Sequence, residues 1–176
     1  MQEKATHLSM FAQQVGLKIN QKKTKVMMLN VPNPSPIKVN EEDLLTTEEF
    51  TYLGSTVTHD GGAGSDIRNC LNKVRNAFRI LKNVWTSFQY STETKLRLYQ
   101  SCVRPTLLYG SECWRMTGSD LNKLSTFHTK NLRRILRVFW SETISNQCLL
   151  ARCNQDSMEI VIMQRRWRWT RHVMRR

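Results

Sequence analysis

The chain has 176 residues, with 27 Lys+Arg against 14 Asp+Glu, a net charge of +13 and an isoelectric point near 10.0. Its 40% hydrophobic content is enough for a real core and argues against global disorder, and no apolar run approaches the ~20 residues of a membrane span. Met1-Gln2-Glu3-Lys4 lacks the layout of a secretory signal, and five irregularly spaced cysteines suit reduced thiols, so the expected setting is intracellular, nuclear or cytoplasmic. Residues 1–62 carry 6 Lys, no Arg and 7 acids, whereas residues 63–176 carry 5 Lys, all 16 Arg and 7 acids. The basic excess therefore lies entirely in the second part. Arginine's planar fork suits bidentate contact with phosphate, so the expected partner is a polyanion.

In chain order, residues 1–15 predict an amphipathic helix with Leu8, Phe11, Ala12 and Val15 on one face and Gly16 ending it. Leu17–Asn20 and Thr24–Leu29 are strand candidates around the turn Gln21-Lys22-Lys23. Three prolines in Pro32-Asn33-Pro34-Ser35-Pro36 mark a linker. Ile37–Val39 and Phe50–Thr58 are further strand candidates, and His59–Gly64 reads as a flexible loop and domain boundary. Ser65 is placed to cap a long helix whose apolar residues fall at Ile67, Leu71, Val74, Phe78, Leu81, Trp85 and Phe88, at alternating spacings of four and three. A second helix is expected from Thr92 to about Leu108 with a kink at Pro105, and a third from Ser119 or Asp120 to about Phe139. Shorter helices follow near Ile144–Arg152 and from Ser157 onward. The fold class is thus mainly α with a small β element.

On the third helix Lys123, Lys130, Arg133, Arg134 and Arg137 fall within about 100° of one another, with Leu121, Leu124, His128, Leu132, Ile135, Leu136 and Phe139 opposite. Such a face can follow a phosphate backbone or be simply solvated; the charge split favours the former. The C-terminal twelve residues hold six arginines, among them Arg165, Arg166, Arg168 and Arg171, and the tryptophans Trp167 and Trp169. Trp167 aligns with Ile160, Met163 and Met174, and Trp169 with Met158 and Ile162, so both read as core anchors rather than base-stacking groups. The arginines leave no clean apolar face for a membrane surface.

Catalytic constellations are sparse. There is no phosphate-binding glycine loop and no Asp-Asp pair to hold two Mg²⁺ ions, and Glu41-Glu42-Asp43 reads as a solvated stretch beside the linker. Cys148 and Cys153 have no convincing fourth ligand with the distant His172, which makes zinc improbable and buried thiols the better reading. His128 reads as a satisfied core residue.

Five short motifs in order carry a resemblance. They are Gly16–Asn20 with Lys22-Lys23-Thr24-Lys25, Phe50-Thr51-Tyr52-Leu53-Gly54-Ser55, Leu107–Trp114, Leu132-Arg133-Arg134-Ile135-Leu136, and Arg168-Trp169-x-x-His172-Val173. Together they resemble the C-terminal part of non-LTR (LINE-type) retrotransposon reverse transcriptases, over essentially the whole chain. The resemblance implies a palm remnant in residues 1–31, a linker and primer-grip-like hairpin in 32–62, and a basic thumb-like helical domain in 63–176. Lys23, or else Lys25, matches the family lysine that protonates the leaving pyrophosphate, although a solvated turn lysine fits as well. Tyr52, Leu53 and Gly54 match the primer grip, with packing the other role open to Tyr52 and Leu53. The implied partner is an RNA/DNA template–primer duplex, together with the palm and fingers region that would lie upstream. The complete family enzyme uses Mg²⁺, yet the Asp-Asp motif would precede Met1, and Arg171 stands where the family has Gly. The expectation is a truncated, nucleic-acid-holding portion of an RNA-directed DNA polymerase, inactive alone. The alternatives are a non-enzymatic basic RNA- or DNA-binding module, or a relic or protein-interaction module.

Overall fold

A computed structural model describes residues 1–29, 31, 33–139 and 142–175. Pro32 of the predicted linker and the terminal Arg176 lie outside the described residues. The chain is mainly helical with small two-stranded sheets, the fold class expected, and divides into two compact units, Met1–Gly62 and Ala63–Arg176.

In the first unit, α1 (Gln2–Gln14) ends where glycine predicts. Gly16 adopts φ +75°, and the amides of Gly16 and Leu17 return to the Gln13 and Ala12 carbonyls at 3.0 and 2.8 Å. The packed face is not the expected one. Ser9 is buried and donates to Asn40 Oδ1 at 2.9 Å, and the Gln2 amide brackets the Lys38 backbone, while Leu8, Phe11 and Val15 are all more than 60% exposed. The buried hydrophobic residues of this unit, among those described, are Val39 and Leu44, not the α1 stripe.

Strand β1 (Lys25–Val26) pairs in parallel with β4 (Leu45–Thr46), and β2 (Lys38–Val39) pairs antiparallel with β3 (Glu42–Asp43). Leu17–Asn20 forms no strand, and Thr24–Leu29 contributes only β1, since a strand persists only where a neighbour completes its hydrogen bonds. The Phe50–Thr58 candidate is a hairpin of β5 (Glu49–Tyr52) and β6 (Ser55–Thr58). Its two-residue turn places Leu53 at φ +49° and Gly54 at +86°, the backbone twist that joins tight hairpins.

The second unit begins with α2 (Gly64–Ile80), which starts at Ala63 rather than at a Ser65 cap; Ser65 Oγ instead accepts from Arg68 at 3.0 Å. The predicted stripe buries Ile67, Leu71, Val74 and Phe78, but the helix breaks at Leu81 and resumes as α3 (Lys82–Thr86). Trp85 keeps its buried place by stacking on Phe78 at 4.9 Å and donating its indole N–H to the Phe78 carbonyl. Phe88 lies beyond α3 and is 89% exposed.

The second predicted helix is α4 (Thr92–Leu98), a π-helical turn (Tyr99–Val103) and α5 (Arg104–Leu107). The wide turn ends two residues before Pro105, which lacks an amide hydrogen for the ordinary ladder. After Gly110 at φ +75°, a 3₁₀ turn (Ser111–Cys113) leads toward α6 (Gly118–Leu136). Thr117 is the cap: its Oγ1 accepts from the Asp120 amide, and the Asp120 carboxylate accepts from the Thr117 amide. Asp120 therefore completes a cap that begins three residues earlier than itself. At the other end Arg137 takes φ +59° and stops the helix before Phe139, which is 68% exposed. Ser145 and Ser157 cap α7 (Asn146–Arg152) and α8 (Met158–Val173).

Candidate nucleic-acid interface

The five predicted cations of α6 do not act alike. Lys130 and Arg134 are exposed, while Lys123 is held 3.1 Å from Asp120, so the face is not wholly free of acid. Burial would raise the Asp120 carboxyl, but hydrogen bonding led by Thr117 holds it below the usual carboxylate value. Arg133 turns toward α7 and donates to the Ile144 carbonyl at 3.0 Å and to Asn146 Oδ1 at 2.8 Å. Arg137, outside the helix, donates to the carbonyls of Thr86 and Ser87 and lies 3.5 Å above the Phe88 ring. Buried Lys95 reaches the same helix end, donating to the Trp85 and Ser87 carbonyls at 3.2 and 2.6 Å. Lost hydration, and then the Arg137 charge, push Lys95 below the ordinary lysine value. Two cations thus close the C-terminus of α3, where orphan carbonyls need donors.

What α6 loses, α2 supplies. Arg68, Arg75, Arg79 and Lys82 are exposed at helical spacing along one edge of α2 and its continuation. A groove between α2 and α6 is lined at one end by Arg68, Arg75, Lys123 and Lys130. It continues past Phe127 into a hollow flanked by Arg79, Lys82, Arg134 and Arg137. Among the described residues, no Asp or Glu lines either stretch. At 1.5 Å per residue the Arg68–Arg79 part of the stripe, within α2, is about 16 Å long, matching about five base pairs at 3.4 Å each. The apolar period of α2 does not reveal this stripe; the cations at positions 68, 75, 79 and 82 carry its signal in the sequence.

The terminal arginines also divide. Arg165 pairs with Glu112 at 2.7 Å, and Arg166 donates to the Trp114 carbonyl, so both tie α8 to the 3₁₀ turn region. Arg168 and Arg171 are exposed. Trp167 and Trp169 are not core anchors: they are 70% and 49% exposed, although Met158 and Ile162 are buried. The bundle covers the first turns of α8 only.

In the first unit Tyr52, Leu53 and Gly54 form the exposed tip of the β5–β6 hairpin, and Lys23 and Lys25 are exposed on and after the predicted turn. His128 is buried and shares a 2.9 Å hydrogen bond with Tyr99 through Nδ1, but Nε2 has no partner among the described residues, so it is only half satisfied there. Burial, then the Arg104 charge, push His128 down to about 4; burial raises the Tyr99 hydroxyl. Cys153 is buried as expected and Cys148 is exposed. Among the described residues no three His, Cys, Asp or Glu side chains come together as a metal site. Also among the described residues, no helix is long and apolar enough to cross a membrane.

The fold and groove define a mainly helical chain with an extended cationic surface. The sequence is similar to an uncharacterized transposon-derived protein of Caenorhabditis elegans, 29% identical over 131 residues. That match covers 71% of this chain and 46% of the relative, so the chain spans less than half of the relative's length. No family model matches, and no solved structure matches.

Proposed function

We propose that this chain is a transposon-derived piece of a LINE-type reverse transcriptase whose role is to hold a template–primer duplex by its phosphates. The observation that carries the proposal is the groove between α2 and α6, where cations from two helices face one channel and no acid lines it. The transposon-derived character of the relative supports the origin, and the motif order supports the polymerase family. On this reading residues 1–31 are the palm remnant, 32–62 hold the primer-grip hairpin with its Tyr52-Leu53-Gly54 tip, and 63–176 are the thumb. Exposed Leu8, Phe11 and Val15 suit a palm helix that packs on a further part of the polymerase. The same stripe equally suits a relic that has lost its partner, which is the second reading.

Fluorescence anisotropy with an RNA–DNA hybrid duplex tests the proposal. Binding that weakens steeply as salt rises is the expected result, since each neutralised phosphate releases counterions. No binding at low salt leaves the relic or protein-interaction reading.

A further inference from the structure

The groove changes character along its length. Between Arg68 and Lys130 its lining mixes cations, amides and hydroxyls with Leu71 and Phe127. Past Phe127 it opens into a largely apolar hollow of about 710 Å³, with Phe78 and Trp85 as a buried floor. Two aromatic rings, Phe88 and Phe139, stand at its wall, 89% and 68% exposed. Folding gains little from leaving two phenylalanines in water. The Arg137 guanidinium lies 3.5 Å over one face of Phe88 and is itself held by the α3 carbonyls, so the ring has a fixed support.

We propose that this hollow is a base-stacking subsite, taking unpaired bases of a single strand where it leaves the duplex held by the rest of the groove. The inference rests on the duplex-holding function and adds a second ligand feature to it. Three observations favour a nucleic acid over an acidic, aromatic peptide. The rim cations are mostly arginines, whose forks match phosphate oxygens. Exposed aromatic faces alternate with those cations, the combination that binds single strands without reading sequence. Arg75 and Phe127 belong to both stretches, so one strand can run continuously from backbone contacts to stacked bases.

The test uses the whole chain with two probes, a blunt RNA–DNA hybrid duplex and the same duplex bearing a short single-stranded extension with 2-aminopurine. Stacking on an aromatic side chain contributes roughly tenfold in affinity per base, so the extended probe should bind about tenfold or more tighter than the blunt one. Its 2-aminopurine fluorescence should be quenched on binding. The double variant Phe88→Ala/Phe139→Ala should bring the extended probe to blunt affinity and abolish the quench, leaving blunt binding and its salt dependence unchanged. Both rings are exposed, so the variant should keep its helical circular dichroism and melting temperature. Equal affinity for the two probes overturns the subsite and leaves the duplex function standing. An acidic, aromatic peptide that binds through Phe88 while the extension adds nothing overturns it in favour of a protein partner. Failure of both probes to bind overturns the duplex function and the subsite with it.

Discussion

The indole Nε1 of Trp114 donates to Asp66 Oδ2 at 2.8 Å, inside the core, across 48 residues of sequence. The bond joins the segment after the 3₁₀ turn to the first turn of α2. Two more links converge on the same segment, from Arg165 to Glu112 and from Arg166 to the Trp114 carbonyl. The segment Glu112–Trp114, within the motif Leu107–Trp114, is therefore a clasp that ties the start of the helical unit to α8. A charged hydrogen bond in this setting contributes about 1.5–3 kcal/mol. Trp114→Phe should therefore lower unfolding stability by about 2 kcal/mol in urea titration, and leave affinity for nucleic acid unchanged in whatever fraction is folded.

His128 makes the helical unit sensitive to acid. Its folded-state value is pushed down to about 4, below the ordinary 6.5, so the unfolded chain takes up the proton first as pH falls. Stability is fully present above about pH 6.5 and declines toward pH 4, by on the order of 3 kcal/mol at most. Urea unfolding at pH 7 and at pH 4.5 measures the loss. His128→Gln should flatten the pH dependence, whatever it does to stability at pH 7.

The cap of α6 offers a cleaner stability test. Thr117→Ala removes the acceptor for the Asp120 amide and the hydroxyl that donates to Asp120 Oδ2 at 2.8 Å. Loss of such a cap costs about 1 kcal/mol, read as a lower melting temperature. Trp167→Ala, by contrast, should change stability by no more than about 0.5 kcal/mol, because its ring is mostly in water. A core anchor would cost about 3 kcal/mol or more.

Much of this architecture was written locally. The stripe Ile67–Phe78 is set by helical period and the end of α1 by Gly16, and the second helix carries a π-helical turn that ends two residues before Pro105. The break at Leu81 was not legible, because the apolar spacing runs through it without losing phase. Nor was the exposure of Trp167 and Trp169, since a helical wheel says which residues share a face but not whether another element covers it. The site was legible as charge and not as geometry. Arg134 and Arg137 look equivalent in sequence, yet Arg137 is committed to carbonyls some 50 residues away. Arg165 is likewise bound to a distant glutamate. The α2 cations line the groove only because folding sets them beside α6.

Without an Asp-Asp pair in its sequence, the purified 176-residue chain should not extend a primer on an RNA template with Mg²⁺ and deoxynucleotides. Robust extension in a gel assay would show that this chain carries catalytic carboxylates in an arrangement unlike the family's.

The most direct measurement compares salt slopes. The triple variant Arg68→Ala/Arg75→Ala/Lys130→Ala removes exposed cations of the duplex-holding stretch, whereas Arg165→Ala removes one bound to Glu112. For binding to a hybrid duplex, the triple variant should lower the slope of log affinity against log salt by roughly two to three, about one per lost phosphate contact. Arg165→Ala should leave the slope of the folded protein unchanged. A triple variant with the slope of the unaltered chain would contradict the groove as the nucleic-acid interface.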